Sequence, residues 1–421
     1  MNDRLRTPLL LDGATATNLW QAGMPPMFGM HGVPKGTHGD GCPEEWILAH
    51  PEELQRLQLG FLQAGSRMIF TPTGAANSAT LAHYGQEGQM EEYNRRLARM
   101  TVETCRRFDP QVLVAGCVAP MSIQAEPFGE TPFMDLVNIY AHQAFALKEG
   151  GVDLLVADAM TSLSQCRAAL LGCRQTGLPV MVTLNIEEDG ETCLGCDLVS
   201  AQIVCQSLGA AAFGLSCCGK PGFIYPHLEE MAPYATIPLI ARPDAGSCLE
   251  DVLSPEEMAA EMMGLLERGA TLVGGCCFTT PEHIRAFRER MEAFDFASVR
   301  IEKEDPDTLF MASETEPYFL DEYFEQSDPI RCEMDMSDDL LALEETRFDV
   351  VTVQVDTVDD AYLFALNAHM IRKPVIFRSD SEEALEMALL LYNGRAFVDS
   401  ESEIQEETLR QIAQGYGAYL R

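Results

Sequence analysis

Two adjacent cysteine pairs stand out among the reactive side chains: Cys217-Cys218 after AAFGLS and Cys276-Cys277 after ATLVGG. Each pair ends a short apolar, strand-like stretch and is followed by turn or helix-start residues. Three thiolates with an open fourth position suit a zinc ion that takes up an incoming thiol. A free thiol, with a pKa of about 8.5, is a poor nucleophile at neutral pH. Binding to zinc removes its proton and keeps the sulfur charged, while the thiolate ligands moderate the metal's Lewis acidity. The expected ligands are Cys217, Cys276 and Cys277. On the residues alone, Cys218 would serve as well as Cys217. The plainer reading, four buried small apolar side chains, is outweighed by a vicinal pair behind Gly274-Gly275 with a matching pair on another strand end.

Other candidates are weaker. Cys193-x-x-Cys196 in ETCLGCD has metal or redox spacing but no second pair nearby, so a structural role is expected. Cys42 sits in a glycine-rich stretch with His31 and His38 at a spacing that matches no compact metal motif. Asp12 in LLLDGA and Asp158 in LLVADAM each follow an apolar strand pattern, and either can hold a substrate ammonium by a charge-assisted hydrogen bond. Helix capping or loop bracing is their alternative use. Gly13 permits close backbone approach. The segment Thr71–Asn77, including Thr73 and Gly74, offers backbone amides to a substrate carboxylate.

The elements that must position these residues alternate strictly. Strand patterns are expected at Leu9–Asp12, Met68–Thr71, Val112–Cys117, Asp153–Ala157, Val180–Leu184, Ala212–Ser216, Leu239–Ala241 and Thr271–Gly274. Helical spacing fills the intervals, as at Pro51–Ala64, Glu91–Phe108, Met134–Glu149, Leu163–Thr176 and Ser254–Arg268. Such alternation implies a parallel sheet. Eight units in residues 1–295 fit an α/β fold of the (β/α)8 TIM-barrel type. In that fold the chemistry lies at the C-terminal strand ends, where Asp12, Thr71–Asn77, Asp158, Cys217, Arg242–Gly246 and Cys276-Cys277 all fall.

Residues 296–345 are expected to form an acidic connecting segment, in which only Lys303 and Arg331 oppose the Asp and Glu from residue 301 onward. Residues 346–421 resume the alternation through VVTVQVD, PVIFRSD and RAFVDS and form a small α/β module. Too short to close a barrel, it must pack on the main domain, form a compact sandwich, or pair with another chain as a homo-oligomer.

A net charge of −36 argues against nucleic acid and anionic membranes as partners. No apolar run reaches the roughly 20 residues of a membrane helix. The N-terminus has no apolar core of signal-peptide length, so the fourteen cysteines read as reduced thiols in a cytoplasmic protein.

At LLLDGA, FTPTGAANSATLAHYG, GLSCCG, ARPDAG and GGCCFTTPEHI the chain resembles the homocysteine S-methyltransferase family, over roughly residues 7–290. That family includes the homocysteine-binding module of cobalamin-dependent methionine synthase and betaine–homocysteine methyltransferase. The resemblance implies a zinc-dependent transfer of a methyl group to homocysteine, forming methionine. It implies Cys217, Cys276 and Cys277 as zinc ligands, with Asp12 and Asp158 on the amino-acid part of homocysteine. Departures lie on the substrate side: Asp158 where the family usually has Glu, Ser216 where Asn is frequent, and Pro72 and Gly74 where Asn and an aromatic residue are common. They leave room for a similar small thiol. The C-terminal module resembles a fragment of a pterin-binding barrel, and no Asp-x-His-x-x-Gly cobalt-ligating pattern occurs. A methyl-corrinoid donor would therefore arrive on a separate protein. S-methylmethionine and betaine are the other donors considered, with Trp46 and Tyr84 as the aromatic residues available to cage an onium group. The competing reading is a non-catalytic zinc-binding barrel that docks a corrinoid or methyltransferase partner.

Overall fold

The structure is a computed structural model that describes residues 2–26, 41–344 and 346–421. His31 and His38, considered above with Cys42, lie outside the described residues.

Eight strands form one parallel sheet, neighbours in space being neighbours in sequence. They are β1 (Leu9–Leu10), β2 (Met68–Phe70), β3 (Leu113–Val118), β4 (Leu154–Met160), β5 (Val180–Leu184), β6 (Ala212–Ser216), β7 (Leu239–Arg242) and β8 (Ala270–Val273). Leu9 and Leu10 pair with Leu272 and Val273. The ring closes between β1 and β2 through a single parallel bridge, Leu11 to Met68. The expected (β/α)8 barrel is present, with strands and helices within a few residues of their sequence-based positions.

The period-two pattern of each strand sorts its side chains into two layers. Leu9, Leu11, Met68, Phe70, Leu113, Ala115, Leu154, Val156, Met181, Ala212, Ile240 and Leu272 fill the interior. Their neighbours Leu10, Ile69, Val114, Leu155, Val182, Phe213, Ala241 and Val273 face the helical ring and join its buried residues. One more step along the interior rows turns apolar to polar. Asp158 follows Val156, Thr183 follows Met181, and Arg242 follows Ile240, so the barrel's upper layer carries the charged groups.

Local signals set the helices. Ser254 and Glu257 form a reciprocal capping box with Pro255 at the first helical position. Asp197 accepts hydrogen bonds from the amides of Val199 and Ser200, starting the helix Leu198–Ser207. Gly65, at φ +114°, ends the helix Pro51–Ala64 in the left-handed conformation. Among the described residues no helix is long and apolar enough to cross a membrane.

Beyond the barrel, β9 (Leu309–Ala312) and β10 (Pro317–Leu320) make an antiparallel hairpin. A second parallel sheet follows, with β11 (Ile330–Arg331), β12 (Val351–Gln354), β13 (Val375–Arg378), β14 (Phe397–Val398) and β15 (Tyr419–Leu420) in sequential order. Right-handed crossovers in that order put every helix on one face. Val351, Val353, Val375, Phe377 and Val398 accordingly pack on Phe364, Leu385, Leu389, Leu409 and Ile412. Val350, Ile376 and Phe397 face the other way and are covered by Met311 and Phe324 with Leu309, Tyr318 and Leu320. Residues 330–344, placed by sequence in the connecting segment, pack into this module through Ile330, Met336 and Leu340.

The module is anchored to the barrel by Arg167, a fully buried residue of the helix Leu163–Arg174. Its guanidinium donates to the carbonyls of Leu389 (2.9 Å) and Leu390 (3.1 Å) and to Oδ1 of Asn393 (3.3 Å). Those carbonyls end the helix Glu382–Leu391, so a cation caps the negative end of its dipole. Asn393 in turn donates from its backbone and side-chain nitrogens to Glu314.

Candidate active site

A cavity of about 430 Å³ opens at the C-terminal strand ends. Cys217, Cys276, Cys277, Asp158, Arg242, Asn185, Phe70 and Thr71 line it, together with apolar side chains such as Leu19, Met24, Ile47 and Met121.

Cys217 follows β6, and Cys276 and Cys277 follow β8 after Gly274-Gly275. A Cβ on Gly275 would lie 2.4 Å from Thr279 Oγ1, so only glycine lets this loop turn back onto the barrel. Thr279 then ties the loop to β1, accepting from the Ala14 amide (2.9 Å) and donating to the Cys276 carbonyl (2.6 Å). Cys217 sits at φ +59° and Phe278 at φ +62°. Holding a side-chain-bearing residue there costs about 1 kcal/mol, a strain that clusters at functional positions. The Asn185 amide donates to the Cys217 carbonyl and fixes that turn.

One ligand atom from each of Cys217, Cys276, Cys277 and Asp244 lies within 4.8 Å of the other three, a grouping that could hold a metal ion. Cys217 and Cys276 are joined as a disulfide, their Cα atoms 5.5 Å apart. Metal binding requires thiolates, so this bond must be reduced first. Cys218 points elsewhere, with its Sγ 3.3 Å from the Leu184 carbonyl and 3.4 Å from that of Ser216. Of the two vicinal cysteines, left open in the sequence, the one whose sulfur lies in the cluster is Cys217. Asp244 was not singled out in the sequence. Its Oδ1 accepts the Cys277 amide (2.8 Å), and burial pushes its carboxyl up to about 7. Burial also drives the Cys277 thiol upward, with Asp244 adding to the effect. Such a set of sulfur and oxygen donors, buried and short of positive charge, fits a divalent cation.

Asp12 and Asp158 come together around one guanidinium. Arg242 donates from Nη1 to Asp158 Oδ2 (2.9 Å) and from Nη2 to Asp12 Oδ1 (3.4 Å). It lies over the Phe70 ring, 4.0 Å from its centroid. Asp12 Oδ2 accepts the Phe70 amide (2.8 Å), and Asp158 Oδ1 accepts the Thr183 hydroxyl (2.8 Å). Thr183 Oγ1 also accepts the amide of Ala159, held at φ +54°. Arg242 and Thr183 are therefore site residues that the sequence reading left without a role; the alternation of β5 and β7 was the available signal.

Thr71 lines the cavity, whereas Gly13, Thr73 and Asn77 support it from behind. Thr73 donates to the Cys117 carbonyl (2.7 Å), so the hydroxyl of Thr71, which accepts the Cys117 amide (2.9 Å), donates its hydrogen bond to Thr73 Oγ1 (2.6 Å). Asn77 caps a short helix by accepting the Thr80 amide. A Cβ on Gly13 would stand 2.7 Å from Phe61 and from Thr279, so its small size serves packing. Cys193 is exposed and Cys196 buried; both are free thiols that hydrogen-bond backbone carbonyls, those of Thr161 and Asp197. Among the described residues lining the cavity, Trp46 and Tyr84 are absent and Phe70 is the aromatic side chain present. Trp46 instead stacks on His50.

Burial pushes the Asp12 carboxyl up to about 7, against the pull of Arg242 and the Phe70 amide. A raised native pKa means stability is complete below the unfolded value and is lost as pH rises through about 7. Asp12→Asn removes this term. Between pH 5 and 8 the variant should gain roughly 2.5 kcal/mol relative to the parent chain. Urea unfolding of both proteins at the two pH values checks this; an unchanged difference would refute it.

The model of the homocysteine S-methyltransferase family matches residues 9–291. The chain belongs to this family. Two methionine synthases are similar: that of Mycobacterium leprae is 29% identical over 262 residues, covering 58% of this chain and 22% of the relative. That of Mycobacterium tuberculosis is 28% identical with the same coverage. The chain thus corresponds to about a fifth of the length of these relatives. Among solved structures, the metallated form of the Escherichia coli homocysteine methyltransferase MmuM superposes with a TM-score of 0.54 at 22% identity, covering 68% of this chain and 96% of that one. An oxidized form of the same protein also reaches 0.54. At this identity these structures establish the shared fold of the family barrel.

Proposed function

We propose that this homocysteine S-methyltransferase family member transfers a methyl group to homocysteine, forming methionine, with zinc held by Cys217, Cys276 and Cys277. The observation that carries the reading is the convergence of these three sulfurs and Asp244 on the wall of one cavity. Zinc bound there would supply the positive charge that lets the acceptor thiol lose its proton at neutral pH. Asp244, whose carboxylate lies with the three sulfurs, would offer the ion a further donor. Asp158 and Arg242, on the same cavity, with Asp12 buried behind them, would receive the polar end of the acceptor. The apolar wall of Leu19, Met24, Ile47 and Met121 keeps water from the reacting sulfur. The acceptor sulfur then attacks the donor's methyl carbon in line. A carbon–sulfur bond forms as the bond to the leaving group breaks, and alignment within the cavity supplies the rate. A thiol that zinc had deprotonated would need no side chain as general base. Among the described residues lining the cavity the aromatic side chain is Phe70, and Arg242 lies over its ring, so a methyl-corrinoid brought by a partner protein, S-methylmethionine and betaine are all donors to be compared.

The test is methionine formation by reduced, zinc-loaded protein given homocysteine with a methyl-corrinoid protein, S-methylmethionine or betaine. Product is expected with at least one donor and none after chelation of the metal. Calorimetry showing neither heat nor proton release when homocysteine meets the zinc-loaded chain would instead favour the non-catalytic docking subunit.

A further inference from the structure

The alternation of β6, carried one step further, would deliver the wrong sulfur. Ala212 faces the barrel interior while Phe213 and Leu215 face the helices, so Gly214 and Ser216 continue the inward row. An extended chain would next turn Cys217 toward the helices and Cys218 toward the cavity. The structure has the reverse. The Cys217 sulfur lies in the cluster, and the Cys218 sulfur is turned back onto the carbonyls of Leu184 (3.3 Å) and Ser216 (3.4 Å). What breaks the alternation is the backbone of Cys217, left-handed at φ +59° while its amide still donates to the Arg242 carbonyl (3.2 Å). Cysteine does not favour that conformation, so a neighbour must hold it there.

Asn185 is that neighbour. It is the first residue after β5, and its own amide donates to the Met160 carbonyl (2.8 Å). Its side chain, on the cavity wall, donates to the Cys217 carbonyl. Returning the Cys217–Cys218 peptide to an extended course would swing that carbonyl away from Nδ2. We propose that Asn185 is the positioning residue that selects which of the two vicinal sulfurs enters the cluster: its hydrogen bond keeps Cys217 left-handed, which brings Cys217 in and leaves Cys218 out. The consequence for metal rests on the zinc reading above. The choice of sulfur does not, because Cys217 is also the cysteine that pairs with Cys276 in the disulfide.

Asn185→Leu keeps the branched shape and removes the donor, and both proteins are compared as full chains. After reduction, zinc affinity measured by chelator competition should fall about 10- to 100-fold, the loss typical of a residue that orients a ligand. The zinc-free proteins are then oxidised with diamide, which takes up the two electrons and two protons that a disulfide releases. Mass-spectrometric mapping should find Cys276 linked to Cys217 alone in the parent, and to Cys217 and Cys218 in comparable amounts in Asn185→Leu. A general loosening of the loop would weaken zinc binding and leave Cys217 the exclusive partner. That result, or an unchanged zinc affinity, would overturn the proposal. Asn185→Ala takes the same two measurements should circular dichroism show Asn185→Leu unfolded. A parent chain that takes up no zinc would end the zinc reading, and the disulfide map alone would then decide the role of Asn185.

Discussion

Replacing Cys277 by alanine should strip the chain of zinc and lower methyl transfer to homocysteine on the order of a thousandfold. The expectation follows from ligand number. Cys277 is one of four side chains whose donor atoms meet within 4.8 Å, and it is the cysteine of the cluster left outside the disulfide. Without it, two sulfurs and one carboxylate would remain to hold the ion. Cys218→Ala is the control, because that sulfur faces the Leu184 and Ser216 carbonyls. Zinc content by metal analysis under reducing conditions, alongside circular dichroism, separates metal loss from unfolding. Equimolar zinc retained by Cys277→Ala, or zinc lost from Cys218→Ala, would refute the ligand assignment.

The largest effect on stability is expected at Arg167. Arg167→Met keeps the length of the side chain and deletes the guanidinium that caps the helix Glu382–Leu391. Two helix-end carbonyls and Asn393 Oδ1 lose their donor in a buried interface, and the buried Glu314 loses the nearby positive charge that draws its carboxyl pKa down against burial. Burial already lowers Arg167 to about 10, so its charge is kept by these contacts rather than by solvent. Leaving such acceptors unmet costs about 3 kcal/mol in all. The urea midpoint should fall accordingly, and limited proteolysis should release the C-terminal module from the barrel sooner than in the parent chain. Unaltered unfolding and cleavage would mean that apolar packing alone seats the module.

How far the molecule was legible in its sequence depended on pattern length. The barrel strands alternate cleanly, and the cysteines close two of them, so both the fold and the sulfur cluster could be placed from residue order. Strand β11 has two residues, too few to show a period, and its membership in the second sheet comes only from pairing with β12. The hairpin β9–β10 did leave a trace, since SETE separates the apolar runs LFMA and PYFL. Arg242 was noted at a strand end but not its partners: it points inward because it shares the face of Ile240, two residues earlier in β7, and pairing with Asp12 and Asp158 brings together the ends of three strands. Asp244 meets Cys277 only because the loop after β7 folds across the loop after β8, a tertiary event with no local mark. The left-handed backbone at Ala159, Cys217 and Phe278 is likewise imposed by neighbours, as none of these residue types favours it.

The hairpin Leu309–Leu320 has a consequence for the module it covers. In a complete barrel the inner surface of such a sheet surrounds a ligand or a packed centre; here Met311, Phe324 and their neighbours plug it from within the same chain. The second sheet has thus surrendered its hollow. Any recognition it performs must fall to the tips of its strands or the backs of its helices, and a flat heterocycle would find no room between sheet and stopper.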